Sequence, residues 1–290
     1  MSKEKTKGQL VQQMLMVKLN ISYDTGYRSC DEMREIVVDK SNADYNRMRA
    51  GFNLFDKYAT SAFTTAISQA RRHYLEETLP WDKKNWRVIP VSKWQTFKNE
   101  LDSYISNVKE KFEEVFHDNY DELKSSFEEA SGDLDINFPD EEGLDAQFNI
   151  GYDIGQIASC DDIRIQGIDQ MERIKIREDM QKQYDEKING GLTELAERVV
   201  RAAEDVAVRA RDPEQKGKKY SKSLSNLNEL ADTVESLNIT GNEAISEACK
   251  IIREDIGKYW AEAIKTTEAV REDVVDATHS LKERLACLEV

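Results

Sequence analysis

Apolar residues recur along this chain at two periods, and the longer one dominates. From Trp94 through Phe97, Leu101, Tyr104, Ile105, Val108, Phe112, Val115, Phe116, Tyr120, Leu123 and Phe127, the steps are nearly all three or four. Steps of that size return to one side of an α-helix, so the pattern predicts one long amphipathic helix beginning near Lys93. Pro90 precedes it, and Ser92 with Gln95 matches a capping box. A second long helix is predicted from about Ile168 through Tyr184, Leu192, Val199 and Val206, interrupted by Gly190-Gly191, where a kink or a close crossing is expected. A shorter helix follows over Leu224–Leu237, and a last one carries Ile245, Ile252, Ile256, Trp260, Val274 and Leu285. Phe63, Ile67, Ala70 and Tyr74 mark a helix over 58–75, while residues 31–56 are ambiguous, with a helix expected from about Tyr45.

The shorter period appears at "MVKLNISY". Val17, Leu19 and Ile21 alternate with Lys18, Asn20 and Ser22, which predicts a half-buried strand running into a turn at Thr25-Gly26. Residues 86–89 and 146–157 are also β-like, and some of the three segments are expected to pair into one small sheet. The fold class expected is mainly α: a long antiparallel helical bundle or coiled coil with a small β element. The expected organisation is an N-terminal helical region (1–165) holding the β element and an acidic loop. A C-terminal long-helix bundle (166–290) follows, the two forming either separate domains or one continuous domain.

Composition supports long helices with wet outer faces: of 290 residues 33% are charged and 39% hydrophobic, with only 4 Pro and 13 Gly. The net charge of −15 speaks against a nucleic-acid backbone as partner. The start, "MSKEKTKGQLVQQ", lacks the apolar stretch of a signal peptide, and no stretch is apolar for long enough to span a membrane. Cys30, Cys160, Cys249 and Cys287 form no CxxC pair, so a reduced cytosolic protein with incidental thiols is expected. The final "CLEV" has the outline of a prenylation box, but a Glu in an aliphatic position makes it a coincidence.

The charge is unevenly spread. Between Lys124 and Arg164 there is no Lys or Arg, against eleven Asp and Glu. Within that stretch "DLDIN" sets Asp133, Asp135 and Asn137 at the spacing of a calcium loop, yet Phe138 stands where the turn needs Gly and Leu144 where a bidentate Glu is needed. An EF-hand is therefore rejected. Loose divalent-ion binding, a docking surface for a basic partner and nucleic-acid mimicry remain open for residues 128–162. Phosphate-cradling glycine loops and HExxH are absent from the sequence, and His73, His117 and His279 lie far apart. No catalytic residue and no cofactor is assigned.

The segment "YLEETLPWDKKNWRVIP" concentrates Pro80, Trp81, Trp86 and Pro90 in one connection. Two readings stand side by side. Large indoles plug the end of a helical bundle, with Arg87 stacking on one or pairing with an acid; or the segment is an exposed binding hot spot. Together with the early "LNISYDTGYR", the acidic turn at Pro139-Asp140-Glu141-Glu142 and "FNIGYDI", this order resembles an uncharacterised bacterial and phage family catalogued only as a domain of unknown function. The resemblance covers roughly residues 10–255. Members are often encoded near a MoxR/CobS-like AAA+ ATPase, which implies an ATPase partner and supplies no catalytic residues.

The function expected is thus a non-enzymatic phage or bacterial adaptor or assembly factor working with such an ATPase. Trp81, Trp86, Arg87, Asp140, Glu141 and Glu142 are its candidate partner-binding residues. The alternatives are a virion or scaffold protein that self-associates through helical seams, and a metal-dependent enzyme or DNA mimic using the acidic stretch.

Overall fold

A computed structural model describes residues 13–132, 134, 136–159, 167, 169–211 and 220–286. The chain is mainly helical, with a small antiparallel sheet. Its elements are β1 (Met14–Ser22), β2 (Tyr27–Ser29), α1 (Asp31–Ser41), β3 (Gly51–Asn53), α2 (Ser61–Glu76), β4 (Leu79–Pro80) and β5 (Arg87–Pro90). There follow α3 (Val91–Phe112), α4 (Tyr120–Ser131), α5 (Glu141–Gln147), β6 (Asn149–Gln156), α6 (Gln170–Arg211), α7 (Tyr220–Leu237), α8 (Glu243–Ile251), α9 (Ala261–Thr266) and α10 (Glu268–Ala286). Among the described residues no helix is long and apolar enough to cross a membrane.

The three β-like segments do join one sheet, of order β4-β5-β1-β6. β1 pairs antiparallel with β5, Met14 opposite Pro90 and Val17 opposite Arg87, and Leu79 of β4 lies opposite Val88. Pro80 sits on the edge strand, where its missing donor costs no ladder bond. β2 and β3 form a separate two-stranded ribbon. The expected turn at Gly26 is real: its φ is +77°, and a Cβ there would stand 2.4 Å from the Phe55 ring, so only glycine fits.

Contacts divide the chain into two units, each assembled from separate segments. The first comprises Met1–Lys18, Leu75–Phe97 and Ile154–Val290. In it α6 packs along α7, α10 and β4. The buried stripe of Leu195, Val199, Ala203 and Val206 from α6 shares a core with Leu227 and Val234 of α7, Ile245 and Cys249 of α8, and Val274 and Leu281 of α10. α6 runs unbroken through Gly190-Gly191; the close neighbour at Gly191 is a strand residue, Leu79, whose side chain comes within 3.5 Å of where a Cβ would be. The second unit comprises Leu19–Tyr74 and Lys98–Asp153. Its core is aromatic: Phe63 meets Tyr23, Phe116 and Phe148 at centroid distances of 5.3, 5.2 and 5.9 Å, and Phe112 stacks on Phe148 at 3.9 Å.

Several sequence expectations need correction. The single helix expected from Lys93 to Phe127 is two helices, joined by a π-turn over Glu113–His117. The π-turn admits an extra residue, and Val115 and Phe116 within it are both buried. α3 begins at Val91, which puts Ser92 inside the first turn and not at the cap. The helix expected from Tyr45 is only a 3-10 turn, Tyr45–Arg47, initiated by Asp44 accepting from the Asn46 N–H; the helix of that region is α1. The last helix is likewise divided, with a π-turn at Ile252–Ile256 and a break before α9.

Candidate functional site

The tryptophan segment is a β-hairpin packed in the first unit. Asp82 makes its turn by accepting from the backbone N–H of Lys84 (2.8 Å) and of Trp86 (3.1 Å), and Asn85 takes the left-handed conformation at φ 66°. Trp81 is only 6% exposed, packs on Tyr184 at a centroid distance of 5.6 Å, and has the Lys187 ammonium 4.7 Å above its ring. The residual cavity beside it, lined by Leu79, Val88 and Leu192 among others, is about 10 Å³, room for one water at most. Trp86 is half-buried and covers Gly155 of β6, where a Cβ would be 3.2 Å from the indole.

Arg87 pairs with an acid. Its Nε donates to the Thr78 hydroxyl (2.7 Å), and its Nη2 donates to the Thr78 carbonyl (2.8 Å) and to Glu194 Oε1 (2.7 Å). Arg198 donates to the same Glu194 oxygen and to the carbonyls of Glu76 and Thr78, both at 2.9 Å. Two guanidinium groups thus satisfy the last carbonyl of α2, at Glu76, and that of Thr78 just beyond it. Burial alone would push the Glu194 carboxyl up, but the hydrogen bonds from Arg198 and Arg87 outweigh it and hold its pKa below the usual carboxylate range. Both guanidinium groups of the cluster share the one Glu194 carboxylate.

The acidic turn belongs to the second unit. Asp140 caps α5, accepting from the Gly143 N–H at 2.8 Å. Glu141 and Asp145, one turn apart on α5, bracket His117: Nδ1 lies 3.2 Å from Glu141 Oε2 and Nε2 lies 2.9 Å from Asp145 Oδ1. A neutral imidazole has one N–H, so only the protonated ring donates to both carboxylates. Partial burial opposes the charge, yet these hydrogen bonds prevail and raise the His117 pKa above its ordinary value. Glu142 is exposed. Among the described residues no group of His, Cys, Asp and Glu is arranged to hold a metal ion; Asp133 and Asp135, central to the loose-metal expectation, lie outside them.

The candidate residues therefore fall into two sets in different units: Trp81, Trp86 and Arg87 in one, Asp140, Glu141 and Glu142 in the other. A third surface escaped the sequence reading. α1 contains no buried residue, and Ile36 and Val37 are 52% and 39% exposed. Its signal was present in Asp31 and Glu32, acids placed at a helix start. No protein-family model, curated protein or solved structure matches this chain.

Proposed function

We propose that this chain is a non-enzymatic adaptor or assembly factor that binds partner proteins and works with a MoxR/CobS-like AAA+ ATPase. The observation that carries the binding half is α1, a helix with no buried residue on which Ile36 and Val37 stand exposed. The ATPase half rests on the resemblance centred on Leu79-Pro80-Trp81 to Pro90. In this reading the hairpin with Trp81 and Arg87 holds the scaffold's shape, exposed surfaces such as α1 and Glu142 meet the partner, and the ATPase supplies the work. α6 and α10 are read as antiparallel members of a bundle, supported by the Lys282–Glu204 pair (2.5 Å) and by the groove where Ala196–Glu204 faces His279–Ala286.

The test is a pull-down with the tagged full chain from the native host, with and without a non-hydrolysable ATP analogue, identified by mass spectrometry. A AAA+ ATPase retained only with the analogue is the expected result. An eluate without any ATPase in either condition sinks the assignment.

A second reading, a self-associating virion or scaffold protein, is favoured by other exposed apolar groups. Trp260 is 81% exposed, and Met171 and Ile174 are 78% and 45% exposed on the first turns of α6, where no residue before Tyr184 is buried. Rings or filaments that grow with concentration, without a partner, would favour it.

A further inference from the structure

α1 is a helix without a core of its own. None of its 11 residues is buried, although isolated helices shorter than about 12–15 residues are marginal in water. Ile36, Val37 and Val38 are β-branched, which lowers helix propensity further. What holds α1 lies along one side. The guanidinium of Arg34 stacks 4.9 Å from the Tyr45 ring, and Met33, Arg34 and Val38 are half-buried.

The other side carries apolar and acidic groups. Ile36 and Val37 are exposed side by side, with the half-buried Met33 one turn before them and Lys40 one turn after them on the same face. Glu32, Glu35 and Asp39, stepping by three and four, run beside them as an acidic row, and none of these three carboxylates is paired with another described residue. Neighbours at such spacing stand about 5–6 Å apart, so the acids present a line of negative charge along the edge of the apolar strip.

We propose that this face of α1 is the docking surface for an amphipathic helix of another protein, one whose apolar row is edged by Lys or Arg. The proposal rests on the partner-binding reading above and specifies the partner's chemistry. Charge complementarity selects the occupant. A second copy of this chain packed antiparallel would set carboxylates against carboxylates, and an anionic lipid surface would be repelled by the same row and by the net charge of −15. A helix laid along the strip reads its i, i+3, i+4 spacing directly, and covering Ile36 and Val37 supplies the burial that α1 lacks.

The test uses the full chain and a fluorescein-labelled synthetic helical peptide with Leu at i, i+3, i+4 and i+7 and Lys along the adjacent row, read by fluorescence anisotropy. The expected result is binding that weakens by at least about tenfold in Ile36→Ser/Val37→Ser. Glu32→Gln/Glu35→Gln/Asp39→Asn should weaken it comparably and flatten its salt dependence. All five positions are on the surface or half-exposed, and unchanged circular dichroism confirms that the variants fold. No binding, equal binding of a peptide with Gln in place of Lys, or variants that bind like the parent would overturn the proposal. So would a dimer, seen by light scattering, or adsorption to phosphatidylserine vesicles, if Ile36→Ser/Val37→Ser abolishes it. The assay contains no ATPase, so peptide binding beside an empty pull-down upholds the docking face while removing the ATPase assignment.

Discussion

Arg87 and Glu194 lie 107 residues apart in the chain, and a guanidinium nitrogen of one stands 2.7 Å from a carboxylate oxygen of the other. The same oxygen also accepts from Arg198, so two arginines that bind carbonyls at and just past the end of α2 share one carboxylate. Removing it in Glu194→Ala leaves both guanidinium groups short of their counter-charge, and we expect a loss of about 2–4 kcal/mol by urea denaturation. The pH dependence has a definite sign. Because the folded pKa lies below the ordinary glutamate value of about 4.5, the contribution is fully present above about that pH and is lost as pH falls through the folded value. The variant should therefore show a flatter acid limb of stability than the parent chain; parallel limbs would count against the cluster.

Trp81 fills its site so closely that Trp81→Ala should cost about 3–5 kcal/mol, whereas the half-buried Trp86 should cost less when truncated. Acrylamide quenching gives a second check. Trp260 should be quenched readily and Trp81 hardly at all, measured on variants that retain one tryptophan each. An accessible Trp81 would revive the hot-spot reading of the segment.

His117 is expected to titrate above 6.5 in the folded chain, followed by its ring resonances in NMR. Glu141→Gln with Asp145→Asn should bring it down toward the ordinary value. Since the folded pKa is raised, the stabilisation is fully present below about pH 6.5 and is lost as pH rises through the folded pKa. The docking of α5 on the π-turn should loosen over that interval. A pKa unchanged by the double substitution would show that the two carboxylates are not its cause.

Cys249 is fully buried, and burial pushes its thiol up to about 11. Iodoacetamide at pH 8 should leave the Cys249 peptide unmodified in the native chain and label it in denaturant, as read by mass spectrometry. Labelling under native conditions would contradict the packing of α8.

The stripes of α6 and α7 were legible because each packs one face only, so Leu192, Leu195 and Val199, or Leu227 and Val234, stand out against charged neighbours. The π-turn at Glu113–His117 was hidden because Phe112, Val115 and Phe116 also fit an unbroken helix. The hairpin at Trp81–Trp86 had its turn residues in view, Asp82 and Asn85, but the prolines around them read as helix breakers in a helix connection. Alternation in β1 was only half-informative: Val17 is buried, while Leu19 and Ile21 are half-buried. The Arg87–Glu194 pair was beyond reach, since one sequence carries no sign of which distant acid an arginine will meet. α1 was missed because its apolar residues are few and three of them, Ile36, Val37 and Val38, are consecutive and β-branched, which is a weak helix signal.

Hydrogen exchange over residues 31–41 tests the central claim most directly. If α1 is a docking element awaiting its partner, its amides in the free chain should exchange far faster than those of Leu195 and Val199 in α6, and should slow when the Lys-edged peptide is added. If α1 is as protected as the α6 core in the free chain, and the peptide changes nothing there, the account is contradicted.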